Sequence, residues 1–534
     1  MGARTGAGTL GGAAARTIGW ARANLATLFD NAQSVRDYRA QLRSSKTVWL
    51  WTLYVAMLIV IALVLYSNVV GQGVQSVSRI QGSLRQFYDS MATALGWLVV
   101  LMTPALTAFT IVQERERKSL DLVFSAPVRP KYLLVGKMLS SFRYTWMLLV
   151  LSLPVTAVSV VMGGATWVDV IGVYAILSGS ALAITSIGLL ISSLAGSVPA
   201  ALILTYLAAG VYLLLLTAIA GMMSIPSMMT MTGSLEAPFL VAMSPFGAAG
   251  TSITQTVLWG LEIPNWILGF AGSLLVAKIF VLGAGSSLSP YGSPETKSLR
   301  IHGLVYAALI GIGVGYALPS SSMFVGGSAT PPTALKEMAI ILTWLLIPVG
   351  MFVPHLCCCS PTADRKYRDD GFFSLRAAFV GSPAGALPYL LMVVLSYYVG
   401  AALALGAKSS AAGGSFDWSI PGFGQSLGWF LALAFFAWGT ARMVSSGART
   451  LRAARILFLA VLMILFPIGL PTLAILDGLG RTSGFGPDFL MLHPMYPLLN
   501  AQMYTAESHA ALMAVVGGAF AYVAWRRRRE KDVS

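Results

Sequence analysis

The stretch IVQERERKSLDLVFSAPVRPKYLLVGK, residues 111–137, places a dense group of charges between two long apolar runs. Every residue from Glu114 to Lys118 is charged, and two prolines follow within the next dozen positions. Gly136 and Lys137 then lead into another apolar run. The interpretation of this charged segment depends on whether the apolar runs on either side of it cross a membrane.

Composition favours membrane crossing. The chain has 534 residues, of which 56% are hydrophobic and only 10% charged, and its mean hydropathy is +0.75. Soluble domains carry about 25% charged residues. Several apolar runs reach the roughly 20 residues that a membrane-spanning helix needs, and they lack the polar face of a buried soluble helix. The clear cases are Val48–Val70, Leu95–Val112, Val168–Leu194 and Pro199–Ala220. We therefore predict an all-α, polytopic membrane protein.

The sequence predicts about twelve transmembrane helices. They lie near residues 48–70, 91–112, 144–162, 167–193, 199–221, 266–284, 303–318, 337–356, 386–406, 425–442, 454–476 and 509–525. With this topology, 29 of the 35 Lys and Arg residues lie on one side and 5 on the other, while Lys278 lies inside a span. This bias indicates that the charged stretch and both chain termini are cytoplasmic. The basic residues behind the net charge of +15 are spread over six separate segments. This distribution is typical of charges that set the membrane topology and contact lipid headgroups, and not of a nucleic-acid-binding patch.

The N-terminal segment, residues 1–46, is predicted to be cytoplasmic, and its first 30 residues lack the continuous apolar core of a signal peptide. Within it, apolar residues recur at helical spacing, with Arg36, Arg39 and Arg43 on an adjacent flank; the apolar set is Leu25, Leu28, Phe29, Ala32, Val35, Tyr38 and Leu42. This pattern predicts an amphipathic interfacial helix whose arginines reach lipid headgroups. The alternative is a solvated basic leader.

Short similar segments recur at equivalent places in the two halves of the chain. FSAPVRPKYLLVGK and FVGSPAGALPYLLM form one pair, and PFLVAMSPFGAAGT and PDFLMLHPMYPLLNAQ form another. We predict a first six-span half at 47–285, a cytoplasmic linker at 286–302 and a second, degenerate half at 303–534. Because six is an even number, the two halves would be parallel repeats.

Motifs of enzyme chemistry are missing from the sequence. Gly136-Lys137 lacks the rest of a phosphate-binding loop, and neither a zinc-protease motif nor a nucleophile elbow occurs. The ionisable residues within or at the edge of spans are few: Asp169, Glu262, Lys278 and Asp477. This scarcity disfavours an ion-coupled secondary transporter. We predict no catalytic residue, no metal site and no cofactor in this chain.

Sulfur-containing and glycine-rich segments have plain structural interpretations. Cys357, Cys358 and Cys359 are adjacent, which does not match paired metal-ligand spacing. Five methionines between residues 222 and 231 offer thioethers that suit Cu(I), but without nearby His or Cys they are better explained as filling an apolar, re-entrant external segment. The glycines at 311, 313 and 315 are expected to allow close helix packing.

The charged stretch itself predicts a short cytoplasmic helix over residues 113–127. Pairs four residues apart, Glu114 with Lys118 and Arg117 with Asp121, would support it, and Pro127 would end it. Its apolar knob consists of Leu120, Val123 and Phe124. Such a helix suits docking into a groove on another protein, but an ordinary charged loop that obeys the positive-inside rule explains the pattern equally well.

A resemblance separates these two interpretations. The segment ERERKSLDLVFSAPVRPKYLLVGK resembles the signature of ABC transporter permeases of the ABC-2 type, in which a span is followed by E-R-E-x-G-T-L-E-x-L-L-x-x-P and then G-K. The matching residues are Glu114, Arg115, Glu116, Leu120, Pro127, Gly136 and Lys137, with Asp121 where the family has Glu. Asn31, Arg36, Arg39 and Arg43 are similar to the family's N-terminal segment, and VAMSPFGAA to its Ser-Pro turn. Lys118-Ser119 departs from the usual Gly-Thr, and the second half's equivalent loop has lost most charges.

The resemblance implies a permease subunit of an ATP-driven exporter, located in the cell membrane and specifically in a bacterial cytoplasmic membrane. ATP and Mg would be bound by separate ATPase subunits. These subunits would dock on the coupling residues, which are Glu114, Arg115, Glu116, Leu120, Asp121, Phe124, Pro127, Gly136 and Lys137. Membrane lipids and a transported cargo would be the other partners, and nucleic acid none. The rival classes are a membrane scaffold, a membrane-embedded enzyme and a secondary transporter.

Overall fold

The computed structural model describes most of the first half of the chain and parts of the second. The described residues are 32–43, 45–70, 77–118, 130–162, 164–230, 241–251, 254–258, 261–288, 294–317, 375, 377–380, 385–411, 423–448, 453–454, 457–458, 460–461 and 503–533. Within them the chain is helical apart from one small hairpin and short connections. The prediction of an all-α protein is confirmed.

The helices are labelled in chain order. They are α1 Ala32–Leu42, α2 Ser45–Val70, α3 Val77–Thr107, α4 Val112–Glu116, α5 Pro130–Val161, α6 Trp167–Leu194, α7 Val198–Thr230, α8 Ala248–Thr251, α9 Asn265–Leu288, α10 Pro294–Ala317, α11 Ala377–Val380, α12 Ala386–Ala411, α13 Phe423–Gly447 and α14 Met503–Val533. A 3-10 helix occupies Pro245–Gly247, and strands β1 (Gln255–Leu258) and β2 (Leu261–Pro264) pair as an antiparallel hairpin.

Seven helical segments in the described part of the chain are long and apolar enough to cross a membrane. They are Val48–Ser67, Gln81–Glu116, Tyr132–Val161, Trp167–Leu194, Asn265–Leu288, Ala386–Ala407 and Leu427–Gly447. This set is compatible with a multi-pass membrane protein. The count of twelve and the two parallel repeats stay predictions, because residues 337–356 and most of 454–476 lie outside the described ranges.

Three predicted spans need a comment on their boundaries. The spans at 199–221, 303–318 and 509–525 coincide with parts of α7, α10 and α14. Within α7, Val198–Leu214 is an apolar helical stretch shorter than those seven segments. α10 begins at Pro294, inside the range 286–302 that the sequence assigns to a cytoplasmic linker.

Helix α6 lies at the centre of the first half. It packs against α3, α5, α7 and α9. In its most apolar stretch, 83% of the residues are buried by surrounding protein. Gly188 allows this close packing, since a side chain there would collide with Thr107 of α3 and approach Thr205 of α7. Small residues at such crossings bring helix backbones together. Helix α2, in contrast, is only 11% buried and lies at the periphery.

Two further helix pairs, α10 with α12 and α13 with α14, pack along much of their lengths. A side chain at Gly311 would collide with the carbonyl of Tyr397, and one at Gly439 with the backbone of Gly517. The close packing predicted for Gly311 is confirmed.

Residues 241–251 form an irregular segment that packs into the bundle among α3, α6 and α9. Pro245 lies against Gly96 of α3, and the Ser180 hydroxyl of α6 donates a hydrogen bond to the Met243 carbonyl at 3.0 Å. Ser244, which belongs to the predicted Ser-Pro turn, caps the 3-10 helix. Irregular backbone inside a membrane domain needs such protein partners because lipid offers no hydrogen bonds.

Candidate functional site

The charged stretch begins where α3 breaks. Residues 108–111 form a turn between α3 and α4, and the amide groups of Ile111 and Val112 would otherwise lack helical partners. Both donate hydrogen bonds to the hydroxyl oxygen of Ser192, near the end of α6, at 3.0 and 3.2 Å. The start of α4 is therefore fixed to the end of α6.

Glu114 of α4 binds the start of α5. Its Oε1 atom accepts a hydrogen bond from Lys137 Nζ at 2.6 Å, and the Lys137 side chain is only 5% exposed. Asp37 of α1 adds a second carboxylate, with Oδ2 at 3.9 Å from the same nitrogen. The buried ammonium thus lies between two carboxylates, which offset the cost of removing it from water.

Arg115 binds the end of α6. Its two terminal nitrogens donate hydrogen bonds to the carbonyl oxygens of Ala195, at 2.6 Å, and Ser193, at 2.7 Å. The last carbonyls of a helix have no partner within the helix and carry the negative end of its dipole. The forked guanidinium suits two such acceptors at once.

Glu116 binds the start of α7. Its Oε1 atom accepts a hydrogen bond from the backbone amide of Val198, the first residue of α7, at 3.1 Å. A carboxylate at this position matches the positive end of the helix dipole. Next to these contacts, the hydroxyls of Ser193 in α6 and Ser287 in α9 lie 2.6 Å apart.

Three consecutive charged residues therefore hold three different helices. Successive side chains on an α-helix point about 100° apart, so Glu114, Arg115 and Glu116 reach the ends of α5, α6 and α7 from a single turn. We call this arrangement the helix-end junction; it comprises Glu114, Arg115, Glu116, Lys137, Ser192, Ser193, Ala195 and Val198. It fixes α4 rigidly to the surrounding helices.

The helix that carries these residues is shorter than the sequence predicts. It ends at Glu116, and Lys118 adopts a φ of 55°, a left-handed conformation that often terminates helices. The predicted pairing of Glu114 with Lys118 is wrong, because Glu114 binds Lys137 and Lys118 lies beyond the helix. Arg117 and Lys118 are exposed.

The predicted docking knob lies outside the described residues. This applies to Leu120, Asp121, Val123, Phe124 and Pro127, and hence to the predicted pair of Arg117 with Asp121. Of the other predicted coupling residues, Glu114, Arg115, Glu116 and Lys137 meet in the helix-end junction, and Gly136 is buried next to Lys137.

Where the sequence predicts an interfacial helix, the structure has the helix α1 from Ala32 onwards; its position at a membrane surface stays a prediction. Arg36, Arg39 and Arg43 are exposed, while the opposite side of α1 packs against α5, where the Tyr38 hydroxyl donates to Met147 Sδ at 3.1 Å. Residues 1–31, including Leu25, Leu28, Phe29 and Asn31, lie outside the described ranges.

The sequence interpretation missed the partners of the charged residues. Ser192, Ser193, Ala195 and Val198 all lie at the short connection SSLAGSVP between two predicted spans. A connection this short forces the end of one helix next to the start of the next. Free carbonyls and amides therefore converge there, which is a signal that Arg and Glu nearby satisfy them.

The remaining residues singled out by sequence are dispersed. Lys278 is exposed on the outer surface of α9, and Glu262 is exposed on β2. Asp169 is buried at the opposite end of the bundle, where Arg85 pairs with it at 3.2 Å. Cys357, Cys358, Cys359 and Asp477 lie outside the described residues. Within those described, no group of three or more His, Cys, Asp or Glu side chains forms a metal-type cluster.

No family model matches the chain, and no curated protein matches it. The fold and the site define the class only broadly: an all-helical protein with seven apolar helices that are compatible with multiple membrane crossings. Its distinctive feature is the helix-end junction, in which a short charged helix joins three of the long ones.

Proposed function

We propose that this chain is the permease subunit of an ATP-driven exporter of the ABC type, powered by separate ATPase subunits. In this proposal the helix-end junction lies on the cytoplasmic side, and residues 119–129 carry the docking knob. ATP binding would move the ATPase subunits, and that movement would reach the spans through α4.

The observation that carries the proposal is the triple attachment of α4. Force applied to residues 119–129 acts on a segment whose base is held by the Glu114–Lys137 pair, with the charged atoms 2.6 Å apart. Arg115 and Glu116 extend this attachment to the end of α6 and the start of α7. Coupling between distant sites requires a physical element whose position both sites influence, and in this proposal α4 would be that element.

This geometry divides the motif residues into two roles. Glu114, Arg115 and Lys137 are engaged within the chain, so we assign them to transmission and not to direct contact with the ATPase. Direct contact falls to Leu120 and Phe124, because an apolar knob ringed by charges is the recognition mode expected of a docked helix.

Co-purification tests the proposal. The chain is co-expressed with an ATPase that carries a phosphate-binding loop and is encoded next to it, and the ATPase recovered on the tagged chain is quantified. We expect the double variant Leu120→Asp with Phe124→Asp to lose the ATPase while inserting normally in the membrane.

The matched control is Lys297→Asp, which introduces an acidic residue at an exposed position of α10, in the predicted cytoplasmic linker. It is expected to retain the ATPase. Equal recovery with the double variant and the wild type would exclude the docking role.

A further inference from the structure

At the end of the bundle opposite the helix-end junction, Arg85 of α3 joins two carboxylates. Its Nη1 atom lies 3.2 Å from Asp169 Oδ2 in α6, and its Nε atom lies 3.3 Å from Asp89 Oδ1. The Asp169 side chain is 7% exposed and that of Asp89 38%. Charges that enter an apolar helix bundle are costly, so they tend to mark functional sites.

The two carboxylates are satisfied to different degrees. Asp169 Oδ2 also accepts a hydrogen bond from the backbone amide of Thr166 at 2.8 Å and so completes a capping box at the start of α6. The Oδ1 atom of Asp89 is buried and faces Arg85 Nε at 3.3 Å as an ion pair, but no donor in the described part of the chain makes a well-formed hydrogen bond to it. Two carboxylates and one guanidinium leave this group with a net charge of −1.

Tyr88, next to Asp89 in the chain, supplies an independent sign of a ligand. It is 1% exposed, yet its hydroxyl makes no hydrogen bond with any residue that the structure describes. The Arg85 guanidinium lies 5.2 Å from the centre of its ring, and Tyr88 belongs to the same packed cluster as Tyr54 and Tyr174. A buried hydroxyl without a partner costs free energy that a bound ligand would recover.

Hydroxyl groups from neighbouring helices surround the same region. The Tyr174 hydroxyl of α6 lies 2.7 Å from the Ser152 hydroxyl and 3.1 Å from that of Thr156, both in α5. Tyr54 of α2, 3% exposed, belongs to the buried cluster against which Tyr174 packs. Four helices therefore contribute polar and aromatic groups to one buried region, which we call the tyrosine cluster: Tyr54, Tyr88, Ser152, Thr156 and Tyr174.

We propose that the tyrosine cluster, together with Asp89, binds the primary ammonium group of a small organic cation. Such a group donates three hydrogen bonds, one of which suits the Tyr88 hydroxyl as acceptor, while Asp89 supplies negative charge nearby. The net negative charge of Arg85, Asp89 and Asp169 attracts it, and the rings of Tyr54 and Tyr174 favour a cation at their faces. This inference goes beyond the proposed function, because binding to the chain alone requires no ATPase.

Equilibrium dialysis of radiolabelled n-butylammonium against the purified full chain in lipid nanodiscs tests the proposal. We expect saturable binding to the wild type, and a dissociation constant about tenfold higher for Tyr88→Phe, which removes a single hydroxyl. Asp89→Asn is expected to weaken binding at least as much, since it removes the excess charge. Tetramethylammonium, which has the same charge but no N–H donor, is expected to compete poorly.

Tyr66→Phe is the matched control, because Tyr66 is 43% exposed on α2 and its hydroxyl is not part of the cluster. It is expected to bind like the wild type. No saturable binding to the wild type, or equal affinity in the wild type, Tyr88→Phe and Asp89→Asn, would overturn the proposal. The ATPase that co-purifies with each of these variants is quantified as well. A loss of ammonium binding can then be distinguished from a loss of ATPase docking, which tests the permease function.

Discussion

The ammonium nitrogen of Lys137 lies 2.6 Å from a carboxylate oxygen of Glu114, although the two residues are 23 positions apart in the chain. Residues 119–129 lie between them, so this pair closes the base of that segment. Lys137 is nearly fully buried, and Asp37 of α1 lies on its other side. The single ammonium group of Lys137 thus ties together α1, α4 and α5.

Glu114→Gln is expected to destabilise the protein by about 2 kcal/mol, because the buried Lys137 would keep only the more distant Asp37. The apparent melting temperature of the purified chain in detergent measures this effect. The coupling between ATP hydrolysis and transport is expected to fall as well, because the base of residues 119–129 would be held less firmly.

Replacing both partners, with Glu114→Gln and Lys137→Met, is expected to restore part of that loss, since no charge would remain buried. If the double variant were as unstable as the sum of its single variants, the two side chains would not be coupled. Lys118→Gln, at an exposed position outside the junction, should leave the melting temperature unchanged.

Arg115→Lys is expected to loosen the end of α6. A lysine keeps the charge but has no planar fork with which to reach the carbonyls of Ser193 and Ala195 together, so about 1–2 kcal/mol should be lost. Hydrogen exchange followed by mass spectrometry should show faster exchange in residues 190–200. Arg117→Lys, at an exposed position, should exchange like the wild type, and equal exchange in Arg115→Lys would exclude the capping role.

Gly188→Ala and Gly210→Ala are expected to act in opposite directions. A methyl group at Gly188 would collide with Thr107, whereas nothing lies within 4 Å of one at Gly210. Overpacking should cost about 1–3 kcal/mol at Gly188, while alanine at Gly210 should stabilise α7 by up to about 1 kcal/mol. Melting temperatures of the two variants check this, and a fall of equal size in both would contradict the packing shown for α6.

Single cysteines test the orientation that the positive-inside rule predicts. In a background with Cys357, Cys358 and Cys359 replaced by serine, a membrane-impermeant thiol reagent on intact cells should label Gln255→Cys in the hairpin. Lys118→Cys should react only after the membrane is made permeable. Both positions are exposed, so labelling of Lys118→Cys in intact cells would place the helix-end junction on the outer side.

The sequence by itself determined the class of fold and the position of most long helices. Apolar runs of about 20 residues with few charges have one stable arrangement, a helix that satisfies its own backbone, so α2, α3, α6, α9 and α12 could be predicted from composition alone. It also identified Glu114, Arg115, Glu116 and Lys137 as unusual, because charges next to a span are conspicuous in so apolar a chain.

Only the tertiary structure decided what those charges bind. Local spacing favoured Glu114 with Lys118, but that pair would be exposed and worth only a few tenths of a kcal/mol. The buried Lys137 and the free ends of α6 and α7 offer stronger partners, since helix-end carbonyls and amides in an apolar environment must be satisfied. Which helix ends converge on α4 depends on packing among segments far apart in the chain, and no local pattern encodes it.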